Sequence, residues 1–117
     1  MLDWDLAGPG TRVWDLANAA YCWAPLFASV KTWSAAARAR RLKLFLDAYG
    51  LDDRSAVLAT MRTRLIHVGR FIESEARLGD AGMQRLVDIN VPTIMFENDV
   101  RYLDEHWATL ERAIASN

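Results

Sequence analysis

Three aspartates near the amino end are the residues best placed, by type and spacing, to do chemistry. Asp3 and Asp5 flank Trp4, a Gly8-Pro9-Gly10 turn follows, and Asp15 falls in the first turns of a helical pattern. A carboxylate at the end of a short strand, followed by a glycine turn and a helix, presents a metal ligand on stiff backbone. A solvated acidic terminus ahead of an ordinary amphipathic helix accounts for the same residues, because acidic residues are plentiful and termini fray. Spacing alone leaves both readings open.

The residue identities are more specific. Asp3-Trp4-Asp5-Leu6-Ala7-Gly8-Pro9-Gly10, then Trp14-Asp15-Leu16-Ala17, resembles the "I-D-W-x-x-A-G-x-G…D-L-A" segment of the aminoglycoside phosphotransferase and choline kinase-like family. These are small-molecule kinases with a protein-kinase-like fold. Residues 41–50, Arg-Leu-Lys-Leu-Phe-Leu-Asp-Ala-Tyr-Gly, look like the family's helix running into "F-x-x-x-Y-G", and Trp107 with Leu110 suits its last helix. The likeness covers nearly the whole chain, but only the C-terminal part of an intact kinase. It implies an all-α fold: a bundle of about five helices like the C-terminal lobe of a small-molecule kinase, with a short N-terminal strand remnant. It also implies that Asp3 is the magnesium-binding aspartate that follows the catalytic loop, and that Asp15 is the buried aspartate bracing that loop. No role passes to Asp5. The implied activity is ATP- and magnesium-dependent phosphoryl transfer to the hydroxyl of a small molecule.

Much of what that reaction needs is absent from these residues. Phosphoryl transfer requires a cradle for the nucleotide phosphates, a lysine upon them, magnesium ligands and a carboxylate near the acceptor hydroxyl. Gly8-Pro9-Gly10 is too short for a phosphate loop, and its proline removes an amide that a phosphate would use. Neither His67 nor His106 is followed by Gly-Asp, so there is no "H-G-D…N" catalytic loop. Asp3 is one ligand for an ion that wants about six oxygens. The expectation is half a metal site without its catalyst, holding magnesium and ATP weakly or not at all.

Composition narrows the alternatives. The chain has 117 residues, enough for a single helical domain over 1–117 but not for both lobes of a kinase. An apolar content of 52% with 25% charged residues belongs to a folded protein rather than a disordered one. A formal charge of −1 gives no general attraction to nucleic acid or an anionic membrane. The single cysteine, Cys22, rules out an intramolecular disulfide and a cysteine-cluster zinc site, and its aromatic neighbours Tyr21 and Trp23 suggest a buried thiol. There is no leader-like segment and no apolar run of transmembrane length, so a cytoplasmic location is expected by default.

The elements that must position these residues are helices. Val13, Leu16, Ala17, Ala20 and Ala24 make one stripe over about 12–24, with Asp15 close to the buried face and Pro25 ending it. Ser34 is the expected N-cap of a second helix running through Tyr49, with Ala35, Ala39, Leu42, Phe45, Leu46 and Tyr49 buried and Gly50 as C-cap. Arg38, Arg40, Arg41 and Lys43 are expected on its solvated face. No aromatic residue interleaves with them in sequence, which argues against a nucleic-acid patch. A third helix over about 53–77, capped by Asp52 or Asp53, carries Gly69, where close packing or a bend is expected. A short helix from Asp80 to about Ile89 and a last one over 93–115 complete the set. The steps Phe96, Val100, Leu103, Trp107, Leu110 and Ile114 form a seam for helix-on-helix packing. Residues 79–117 hold seven acids and three arginines, a composition that suits a cleft for cationic aminoglycosides.

A second reading is a non-catalytic helical interaction module. Without an upstream lobe, Leu2, Trp4, Val13 and Trp14 would be left uncovered, each forgoing about 1.5–3 kcal/mol of burial. That predicts a homodimer or an association with an upstream kinase lobe, with no nucleic-acid or membrane partner.

Overall fold

The computed structural model describes residues 11–115. All regular structure in that range is helical: α1 (Thr11–Trp23), α2 (Ala35–Tyr49), α3 (Val57–Arg77), α4 (Ala81–Asp88), a π-helical segment (Thr93–Asp99), α5 (Val100–Glu105) and α6 (Trp107–Ala115). The expected strand remnant lies outside the described residues. Helix α3 is the central strut, packing against α1, α4, α5 and the π-helical segment, while α2 packs on α6 and α1. The molecule is a slab of 48 × 34 × 18 Å. Its thin dimension accommodates about two helix diameters of ~10 Å.

Local signals explain most boundaries. The Ser34 hydroxyl accepts the Ala37 amide at 3.0 Å, and Gly50 ends α2 in the left-handed region at φ 83°. There the Leu51 amide reaches the Leu46 carbonyl and the Leu51 side chain packs on the core. Asp80 caps α4 by accepting the Met83 amide at 2.9 Å. Gly69 is buried where α3 meets the π-helical segment, and a β-carbon there would lie 3.1 Å from the Phe96 β-carbon. The expected close approach is therefore present.

Other expectations need correction. Helix α3 begins at Val57 without a side-chain cap, because Asp53 instead closes a local turn onto the amide and hydroxyl of Ser55. The last helix is not continuous from 93 to 115. It opens as a π-helix, and α5 ends at Glu105, with His106 as its C-cap. The break before it lies at Asn90, which takes φ 64°. Tyr49 and Cys22 are exposed rather than buried.

The core is formed by Leu16, Ala17 and Ala20 of α1, Ala24 just past its end, Leu42 and Leu46 of α2, Leu58, Met61 and Leu65 of α3, and Leu103, Leu110 and Ile114 toward the C-terminus. Alanines on α1 bring its backbone close to its neighbours, so this helix is held on its inner face by shape and apolar burial.

Candidate functional site

Asp3, expected to bind metal, and Asp5 lie outside the described residues. Asp15 is exposed on α1, not close to its buried face, and makes no side-chain hydrogen bond to another described residue. The rotation of α1 that buries Leu16, Ala17 and Ala20 turns Asp15 outward. Among the described residues, no group of three or more histidine, cysteine, aspartate or glutamate side chains could hold a metal ion. His67 is exposed and meets the Trp14 ring edge-on at 5.8 Å. His106 is half-buried beside Tyr102, with ring centres 4.4 Å apart.

The structure brings together a set of polar residues of its own. Arg38 and Asp99 are only 2% and 1% exposed, in an interior where charge is costly unless it is well partnered. The Tyr21 hydroxyl donates to Asp99 Oδ2, and the Ala28 amide donates to Asp99 Oδ1 at 2.8 Å. Arg38 donates to the carbonyls of Phe27 and Val30, and its guanidinium lies 4.6 Å from the centre of the Tyr102 ring. Arg38 of α2 and Asp99 of the π-helical segment thus hold one connection, residues 24–34, by its main chain, and Tyr21 of α1 joins the π-helical segment through the same carboxylate.

Burial pushes the Asp99 carboxyl above the ordinary aspartate range, opposed by the Tyr21 and Ala28 hydrogen bonds and by the charge of Arg38. Burial and the same carboxylate push the Tyr21 phenol up. Both shifts favour keeping a proton on the pair. No direct Arg38–Asp99 ion pair forms, so Arg38 acts on the carboxylate through space.

Arg38 was expected on the solvated face of α2, and that expectation is wrong. Its position three residues after Ala35 and four before Leu42 already places it on the buried stripe. Asp99 likewise falls three residues after Phe96 and four before Leu103. A charged residue in register with an apolar stripe was the available signal for both.

The remaining basic residues do not form one patch. Arg41 stacks on Trp23 and Trp33, at 3.9 and 4.6 Å from the ring centres. Lys43 pairs with Asp47 at 2.7 Å, and Arg54 pairs with the other oxygen of the same carboxylate, holding Asp47 below the usual carboxylate range. The sequence offers no aromatic residues between these arginines, yet the fold delivers Trp23 from the end of α1 and Trp33 from the flanking connection.

Two of the clefts among the described residues bear on the site. One, of about 600 Å³, lies between residues 51–58 and α6 and mixes Asp52 and Glu111 with Arg54 and Arg112. The other, of about 450 Å³, lies between residues 28–33 and 98–105. It is lined by Lys31, Arg38 and Arg101 against Glu105. Neither is an acidic wall of the kind expected for a cationic substrate, because each sets basic side chains beside its carboxylates. No described helix is long and apolar enough to cross a membrane. Comparison with protein families, curated proteins and solved structures finds no match to this chain.

Proposed function

We propose that this chain is the helical C-terminal part of an aminoglycoside- or choline-type phosphotransferase, inactive by itself. The observation that carries the reading is the run from Asp3 to Ala17, whose acidic pair, glycine turn and helix match that family's metal-binding segment in residue type and order. It is supported by where the run leads: α1 starts at Thr11 and is packed into an all-helical scaffold. Asp3 would give one oxygen to magnesium, and Asp15 would face the upstream catalytic loop. The exposure of Asp15 is compatible with that role, since a side chain already satisfied within this domain could not brace a partner. Magnesium, when bound, neutralises the charge on the transferring phosphate of ATP. The loop supplying the base and the lobe cradling the nucleotide would come from upstream sequence or another chain. Incubation of the purified chain with magnesium, ATP and a panel of aminoglycoside and choline acceptors should yield no phosphorylated product. Turnover by this chain alone would refute the claim of inactivity.

The alternative of a homo-oligomerisation module is favoured by a different observation. Leu44, Leu78 and Ile89 are 60%, 78% and 64% exposed. Trp14, which was expected to be uncovered, is instead half-buried against His67 and beneath Arg64.

A further inference from the structure

We propose that the cleft between residues 28–33 and 98–105 binds a small phosphate monoester carried on a flat ring, with Lys31 and Arg101 on the phosphate and Trp33 against the ring. The cleft's volume, about 450 Å³, falls in the range of small-ligand pockets. Its charge points to an anion: Lys31, Arg38 and Arg101 line it, and Glu105 is its one acidic side chain. The three cations are not equivalent. Arg38 is spent inward, on the carbonyls of Phe27 and Val30 and beside Asp99. Lys31 and Arg101 are exposed and make no ion pair or side-chain hydrogen bond to another described residue. In a chain whose formal charge is −1, two uncommitted cations on one concave surface are a local concentration of positive potential.

The walls are held in place before any ligand arrives. The Ala28 amide is fixed by Asp99 at 2.8 Å, and the Val30 carbonyl by Arg38, whose guanidinium in turn lies against the Tyr102 ring of the opposite wall. Such preorganisation lowers the ordering cost that binding would otherwise incur. Trp33 lines the cleft and is 37% exposed, and Arg41, which does not line the cleft, lies 4.6 Å from its ring centre. A phosphate monoester carries nearly two negative charges and three acceptor oxygens, enough to engage a lysine and an arginine together. The inference is independent of the kinase reading, which concerns Asp3.

Adenosine 5′-monophosphate is a suitable probe, titrated calorimetrically into the full chain with a chelator present so that no metal contributes. Ribose 5-phosphate and adenosine separate the phosphate from the ring. We expect the nucleotide to bind, adenosine to give no detectable heat, and K31Q/R101Q to weaken nucleotide binding about tenfold or more. Trp33→Leu should weaken the nucleotide but leave ribose 5-phosphate unchanged. Glu105→Gln, which removes the opposing carboxylate, should tighten binding and gives a test that does not depend on the double variant folding. Absence of nucleotide binding at millimolar concentration, an unchanged affinity in K31Q/R101Q, or no gain in E105Q would each overturn the proposal.

Discussion

Asp99 is the residue whose environment departs furthest from what its type prefers. Its carboxyl accepts from Tyr21 and from the Ala28 amide, and burial raises its tendency to hold a proton. In the unfolded chain it releases that proton near the ordinary value of about 3.9. From there up to its raised folded value, the folded state holds more protons than the unfolded one, so its contribution to stability falls as pH rises. Asp47, Asp53 and Asp104 act in the opposite sense. Partners lower their folded values, and the stability they add is lost as pH falls from the ordinary range through those lowered values. Thermal melts across pH should therefore show in wild type a decline as pH rises above about 3.9, and its disappearance in Asp99→Asn, with the loss on acidification retained. Asp99→Ala should cost about 3 kcal/mol at neutral pH, because the Tyr21 hydroxyl and Ala28 amide lose their acceptor and Arg38 loses its counter-charge. Identical pH profiles for wild type and Asp99→Asn would contradict this assignment.

At the scale of elements, the fold was most legible where one local signal decides the backbone. Ser34, Gly50 and Asp80 do so, because a hydroxyl or carboxylate over exposed amides, or a glycine with positive φ, works without tertiary help. The start of α3 was misread because Asp53 can equally satisfy Ser55, and the local turn prevails. The π-helical opening of the last helix was not legible. Its apolar spacing is the same as that of an α-helix, and the wider turn accompanies contacts with Gly69 and Tyr21 that are distant in sequence. Gly69→Ala tests that packing. Helix propensity alone would favour alanine by about 1 kcal/mol. The new methyl would meet the Phe96 β-carbon, which is fixed to backbone and cannot swing away, and overpacking costs about 1–3 kcal/mol. A net loss of about 1 kcal/mol in denaturant melts is expected; a gain would mean that the Phe96 backbone yields easily.

At the scale of the whole molecule, an all-helical domain could be read from periodicity, whereas the clefts and the buried Tyr21–Asp99–Arg38 set could not. Those features join residues up to 78 apart in sequence, and no local pattern specifies such a meeting. Exposed Leu44, Leu78 and Ile89 give the slab apolar surface that would favour self-association or a partner lobe. Light scattering should report a mass above that of one chain as concentration rises, and a monodisperse monomer at high concentration would remove the oligomerisation reading. The kinase reading rests instead on a carboxylate at the third position of the chain, and it can be tested apart from the fold. Manganese, a spectroscopically visible substitute for magnesium, can be titrated with ATP into wild type and Asp3→Ala, both carrying K31Q/R101Q so that the basic cleft does not contribute. The account predicts weak metal–nucleotide binding that is lost with Asp3; superimposable titration curves would contradict it.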